Sequence, residues 1–362
     1  MQHVFKLLRK INFSLYVAAL ALAIPNAGAQ QAEETSANHV AVILPLKSET
    51  LGRQADAVRQ GILQAAAANK QGLPVIVHAT SDDAKEIQAT YERATNEGAR
   101  AVIGPLSRSA VTALAVGGQI KVPTLALNTP EGELIMPRHL YIFGLQVDTE
   151  ARQLARVAAK RGLKRVFIVA AETPVSSRIA QAFKEEWQAR GGSIAEEFAY
   201  NADPSVLSKL KDRPQATNAD IVLLALDSSR AKLARPYISG ALPVFATSLA
   251  YNSNDPLENF ELDGVMFLDM PWLLLPDHAA VVTYNRALPF ASLETQRFFA
   301  LGIDAYRIVQ ELINPFLKID EEPLDGVTGL ILRGENQRFV RELTPADFHN
   351  GIARSLADTA YR

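Results

Sequence analysis

The order in which apolar runs alternate with helix-like stretches constrains this chain more than any single motif. Val40 to Leu44 is a continuous apolar run. Such runs suit strands buried on both faces of a parallel sheet. Pro45 to Leu51 reads as a loop, and Arg53 to Asn69 carries Val58, Ile62 and Ala66 at helical spacing. Strands follow at Val75 to Val77, Ala101 to Ile103 and Thr124 to Leu127, with helices from Asp83 and from Ser109 between them. The same order restarts at Arg165. Val166 to Ala170, Ile194 to Phe198, Ile221 to Leu226 and Val244 to Ala246 read as strands. The helix Ser177 to Arg190, stopped by Gly191-Gly192, lies among them.

Each crossover between parallel strands must lay a helix on a sheet face. The expected fold class is therefore α/β, with two doubly wound parallel-sheet lobes facing a central cleft and multiple crossover segments. Ligands of such sheets collect outside the carboxyl ends of the strands. After Gly264 the repeat stops. A strand leads to Met270-Pro-Trp-Leu-Leu-Leu, a long helix is predicted over Thr295 to Phe316, and Gly329 to Leu332 with Phe339 to Leu343 reads as a hairpin. Crossings between the lobes are expected near Gln146–Asp148, Met270–Trp272 and Asp320–Asp325. That assigns 39–146 plus 272–320 to lobe 1 and 147–271 plus 321–362 to lobe 2.

The first residues have another role. Lys6, Arg9 and Lys10 precede an apolar stretch from Ile11 to Ile24, and Ala27-Gly28-Ala29 supplies small residues at a cleavage site. Residues 1–29 are read as a signal peptide cut near Ala29, and 30–38 as a flexible leader. Export to the periplasm is expected. Loss of Lys6, Arg9 and Lys10 takes the formal charge from −2 to −5, which does not suit nucleic acid or an anionic membrane. The chain has no cysteine, so neither a disulfide nor a thiol is available.

Several stretches resemble a known family. VAVILPLKSETLGRQADAVRQGILQAA and AVIGPLSRSAV look like the opening units of type I periplasmic binding proteins. TLALN, FGLQVDTEARQLA, AQAFKEEWQARGG, LDGVMFLDMPWLL, FFALGIDAYRIV and DGVTGLILRGENQRFVREL extend the likeness over about residues 39 to 350. Together they are similar to the carboxyl-terminal domain of the penicillin-binding protein activators, lipoproteins that stimulate a peptidoglycan synthase. The resemblance implies a non-catalytic periplasmic protein that regulates peptidoglycan synthesis by contacting a penicillin-binding protein. Two departures stand out. Gln30 occupies the place of the lipidated cysteine, so no lipid anchor is expected. Ordered sequence is read from Val40 onward, so the helical-repeat domain of larger relatives is not expected. A second reading stays open: a solute-binding receptor that closes on a small polar ligand, such as an amino acid or cell-wall fragment, and feeds a transporter.

No pattern for catalysis, metal or cofactor emerges. The six histidines are scattered, and G-x-S-x-G, G-x-x-x-x-G-K-[ST] and G-x-G-x-x-G are all missing. Neither an enzyme nor a cofactor is expected. The best binding constellation is Gly104-Pro105-Leu106-Ser107-Arg108-Ser109, which joins a buried strand to a helix start. Free N–H groups and the helix dipole there favour an anion, with Ser107, Arg108 and Ser109 as added donors. The alternative is a simple helix cap with Arg108 in water. Asn128 and Thr129 fall at the same sheet edge. Lys47 and Ser48, Glu172 and Thr173, Asp227 and Ser248 complete the expected cleft lining. Trp272 and Tyr251 would anchor a partner if the apolar run beside them is exposed, and would pack the hinge if it is not.

Overall fold

The strand β1 (His39–Leu44) is buried at all six positions. Val40, Val42 and Leu44 enter one apolar cluster, whereas Ala41 and Ile43 enter another. That alternation is the period-two geometry of a strand held between two layers. The first cluster is closed by α1 (Gly52–Ala68) and by a long helix far along the chain, Leu293–Ile313. The opposite layer is α2 (Ala84–Asn96) and α3 (Arg108–Gly117). The computed structural model describes residues 38–117, 119–132, 134–286, 292–314 and 322–356. The expected signal peptide, most of the leader and the start of the Asp320–Asp325 crossing lie outside the described residues.

The strands β2 (Val75–Ala79), β3 (Ala99–Ile103), β4 (Thr124–Ala126) and β5 (Leu140–Ile142) join β1 in one parallel sheet, ordered β2-β1-β3-β4-β5. The second half repeats this plan. The strands β6 (Arg165–Ala170), β7 (Ser193–Ala199), β8 (Ile221–Ala225), β9 (Val244–Ala246) and β10 (Val265–Asp269) are parallel in the order β7-β6-β8-β9-β10. Phe167 and Val169 of β6 face one core, and Val166 and Ile168 the other. The latter lies under α4 (Val147–Lys160) and α5 (Pro174–Ala189), through Leu154, Ile179, Phe183 and Trp187.

The tail departs from the expected boundary. The strands β11 (Leu324–Gly326), β12 (Gly329–Arg333) and β13 (Phe339–Glu342) form a small antiparallel sheet. Val327, Ile331 and Phe339 are buried in the cluster of α1 and the long helix, which belongs with the first sheet. The chain then passes to β14 (Thr344–His349), which pairs antiparallel with β10, and β15 (Ile352–Ser355) lies outside it. The third crossing is thus at Leu343, not near Asp320–Asp325. Alternation in the sequence marks which face of a strand is buried, but not which of two cores receives it.

One helix contact fixes the first lobe closely. A Cβ on Gly61 of α1 would stand 2.0 Å from the Phe299 carbonyl oxygen. A Cβ on Gly302 would stand 2.1 Å from that of Val58. Only glycine at both positions lets the two backbones touch.

Candidate functional site

The structure gathers the expected cleft residues into two sets, one at the carboxyl edge of each sheet. In the first, Asn128 Nδ2 donates to the Leu106 carbonyl (3.1 Å), and Arg108 Nη2 donates to the Pro130 carbonyl (2.9 Å). Ser107 Oγ and Ser109 Oγ are 3.4 Å apart, and the Thr129 amide donates to Asn128 Oδ1. Arg108 therefore braces the neighbouring loop instead of pointing into water. Ser48 Oγ accepts from the Thr50 and Leu51 amides. Lys47 Nζ meets Glu86 at 2.9 Å. The Ser81 hydroxyl and amide, with Lys47, hold the Glu86 carboxyl down at about 2.

In the second set, Thr173 caps α5 by accepting from the Ser176 amide, next to exposed Glu172. Asp227 caps the helix Ser228–Ala234 and pairs with Arg230. Ser228 Oγ donates to Asn252 Oδ1 (2.8 Å), tying the loops after β8 and β9. Ser248 is buried, and its amide donates to Glu150 Oε2 (3.1 Å). Arg108, Asn128, Ser228 and Ser248 thus bond to neighbouring loops or helices, whereas Ser48 and Thr173 bond within their own.

A different site forms where the chain crosses between sheets. Its crossings run through Gly144–Gln146, Met270 and Leu343, and each is flanked by a buried polar side chain. Glu150 sits in the first turn of α4, Asp269 ends β10, and Arg341 lies on β13. Arg297, from the long helix, completes the group. Its Nη2 reaches Asp269 Oδ2 (2.5 Å) and the carbonyls of Ser248 (3.2 Å) and Tyr251 (2.7 Å). Gln153 clamps the third crossing. Its amide donates to the Leu343 carbonyl and accepts from the Leu343 N–H, both at 2.9 Å. A cavity of about 290 Å³ opens among these groups, lined by Leu145, Glu150, Ser248, Arg297, Phe298 and Arg341 with their neighbours. Glu150 is 5% exposed. Burial pushes its pKa up, ahead of the opposing pull of Arg341.

Of the expected residues only Ser248 and Tyr251 line this cavity. Glu150, Asp269, Arg297 and Arg341 were missed, although one signal was available. Arg341 alternates with Phe339 and Leu343, which places a charge on the apolar face of its strand. The partner anchors need correction. Trp272 is 2% exposed, with its ring 5.5 Å from Phe299 and under the Arg286 guanidinium. Tyr251 is 5% exposed and packs on Phe267 and Phe348. Both rings are core, because the apolar run after β10 turns inward to cover the ends of two clusters. Neither presents a surface to a partner.

Comparison with known proteins places this architecture. A family model described as LppC putative lipoprotein matches residues 19–351. A penicillin-binding protein activator LpoA from Haemophilus ducreyi is 28% identical over 336 residues, covering 89% of this chain and 55% of the relative. The protein of the same name from Aliivibrio fischeri is 29% identical over 329 residues, covering 80% of this chain and 53% of its own. The chain thus spans about half the length of the curated relatives it matches. A solved structure described as a putative branched-chain amino acid ABC transporter from Chromobacterium violaceum is 35% identical with a TM-score of 0.75, covering 86% of this chain and 99% of that one. The LpoA C-domain from Haemophilus influenzae, described as a regulator of PBP1A, shares the fold at a TM-score of 0.74 and 21% identity, covering 88% of this chain and 99% of that one. The lipoprotein description stands against the expectation, drawn from Gln30 and the lack of cysteine, of a chain with no lipid anchor. The match over residues 19–351 and the two-lobed architecture make this chain a member of the LppC family, built on a periplasmic binding protein-like fold.

Proposed function

We propose that this chain regulates peptidoglycan synthesis from the periplasm by binding a penicillin-binding protein, and that it catalyses no reaction itself. The observation that carries this is the match to named penicillin-binding protein activators along 89% of the chain. The engagement of the loop-edge side chains in bracing each lobe agrees with a scaffold that presents a surface. We further propose export by the signal peptide over 1–29, with cleavage near Ala29.

The direct test adds the purified protein to its cognate synthase and follows glycan-strand polymerisation and peptide cross-linking separately. A rise in either rate is expected. No rate change together with no binding removes the proposal. Sequencing the amino terminus of the exported chain tests the cleavage, and an intact segment 1–29 would refute it.

The Chromobacterium structure favours a second reading, because its 35% identity runs over 99% of its length. In that reading the loop sets after β1, β3, β4, β6, β8 and β9 close on a small polar ligand that is passed to a transporter. Import of a solute that depends on this chain, with no effect on the synthase, would select it.

A further inference from the structure

Four large apolar side chains are left in water on one flank of the second lobe. Leu257 is 82% exposed and Phe260 64%, and Ile352 and Leu233 are each more than half exposed. Single exposed apolar residues are ordinary, but several drawn to one place mark an interaction surface. Three pieces of chain bring these together. Leu233 lies on the helix Ser228–Ala234, Leu257 and Phe260 on the consecutive turns Pro256–Asn259 and Phe260–Leu262, and Ile352 opens β15.

The pieces are pinned to one another from below. Ala231, Ala234, Leu262 and Phe348 are buried in the same core. Arg235, just past the helix, donates from Nη2 to the Asp263 carbonyl (3.1 Å), and the Asn350 amide donates to Asp263 Oδ1 (2.6 Å). A Cβ on Gly351 would stand 2.0 Å from the Pro256 carbonyl oxygen, so the β14–β15 turn touches the residue before Leu257. The inner faces are thus buried, and the outer faces carry the four apolar side chains.

The surrounding charges are mostly acidic. Asp255, Glu258, Glu261 and Asp263 are exposed, and no lysine or arginine occurs between Arg235 and Arg286. Among the described residues the Glu258 and Glu261 carboxylates make no ion pair. Arg230 pairs with Asp227 and Arg354 with Asp347, which leaves Lys232 and Arg235 against the four acids. A net negative face repels nucleic acid and anionic membranes, whereas an apolar centre with a charged rim is how protein-binding surfaces are built. We propose that this face docks a protein segment that carries lysine or arginine around an apolar centre. The proposal rests on the synthase reading and places that segment on the synthase. Leu257 and Phe260 would seat in its apolar centre, and the acids would steer and orient its approach.

Binding of the full chain to its cognate synthase is titrated from about 50 to about 300 mM salt, with rate stimulation read in parallel. Parent affinity should fall as salt rises, as steering by opposite charges requires. The double variant Leu257→Ser/Phe260→Ser should weaken binding at least about tenfold. Glu258→Lys/Glu261→Lys keeps both apolar groups and should weaken binding chiefly through slower association, with a flatter salt dependence. It decides the question if the first variant fails to fold. Val116→Ser, at an exposed position on α3 of the first lobe, should bind as the parent does. The proposal is overturned if either folded variant binds as tightly as the parent, if Val116→Ser weakens binding equally, or if parent affinity ignores salt. Sedimentation of the chain alone reads the rival occupant: self-association that the apolar double variant abolishes would make this face a contact between copies and overturn the proposal. A parent that binds and stimulates while the variants match it removes only this face and leaves the synthase reading standing; a parent that does neither removes both.

Discussion

Breaking the Asp269–Arg297 pair from one side should cost far more than replacing both partners. Arg297 Nε contacts Asp269 Oδ1 (3.3 Å) and Oδ2 (3.2 Å), while Nη2 also holds two carbonyls. Asp269→Leu leaves the Arg297 charge buried but still facing the Ser248 and Tyr251 carbonyls. The expected loss is about 3 kcal/mol, the low end for orphaning one partner of a buried pair. Arg297→Met is worse. It leaves the Asp269 carboxylate with the Met270 amide and strips two buried carbonyls of their donor, at about 5 kcal/mol. The double variant removes both charges and keeps only the cost of the Ser248 and Tyr251 carbonyls left without a donor, so it should lie within about 2 kcal/mol of the parent. The coupling then comes to about 6 kcal/mol. Urea unfolding reads this well, because the two tryptophans report on different cores. Trp272 belongs to the first and Trp187 to the second, and far-UV circular dichroism tests whether the lobes unfold together. Single variants within about 1 kcal/mol of the parent, or a double variant equal to the sum of the singles, would refute the reasoning.

Three more outcomes are expected. Burial raises the Glu150 pKa, so the folded chain holds that proton more tightly than the unfolded chain. Its contribution is most favourable below the ordinary 4.5 and declines as pH climbs through the raised value. Glu150→Gln should therefore gain stability relative to the parent from pH 4.5 upward in urea titrations, and a pH-independent difference would exclude the mechanism. Gly302→Ala gains about 1 kcal/mol of helix propensity. It must also push Val58 O away from a 2.1 Å contact, so a net loss of about 2 kcal/mol is expected; a higher melting temperature would show that the helices can part freely. Trp272→Ala should lose about 3–5 kcal/mol by denaturant unfolding, yet leave synthase affinity per folded molecule unchanged. Unchanged stability with lost affinity would return Trp272 to the surface role.

The strand–helix repeat was legible because burial on both sheet faces demands continuous apolar runs, and β1, β6 and β8 meet that demand over five or six residues. The strand β5, Leu140 to Ile142, follows β4 with no helix assigned between them, so the strand–helix repeat did not mark it. Glu150 shows why the site was not legible. In the first turn of α4 an acid suits the helix dipole and passes for a solvated residue. Its burial follows from the loop after β9 folding over it, through Ser248, 98 positions away.

Sequence alone determined the α/β class and the repeated strand–helix order, since these depend on local apolar pattern and chain connectivity. Tertiary structure decided which core receives Ile331 and Phe339, that Trp272 and Tyr251 turn inward, and that Glu150, Asp269, Arg297 and Arg341 meet at one hinge. A charged side chain reads the same in sequence whether water or a distant partner satisfies it, and only the packed fold supplies the partner.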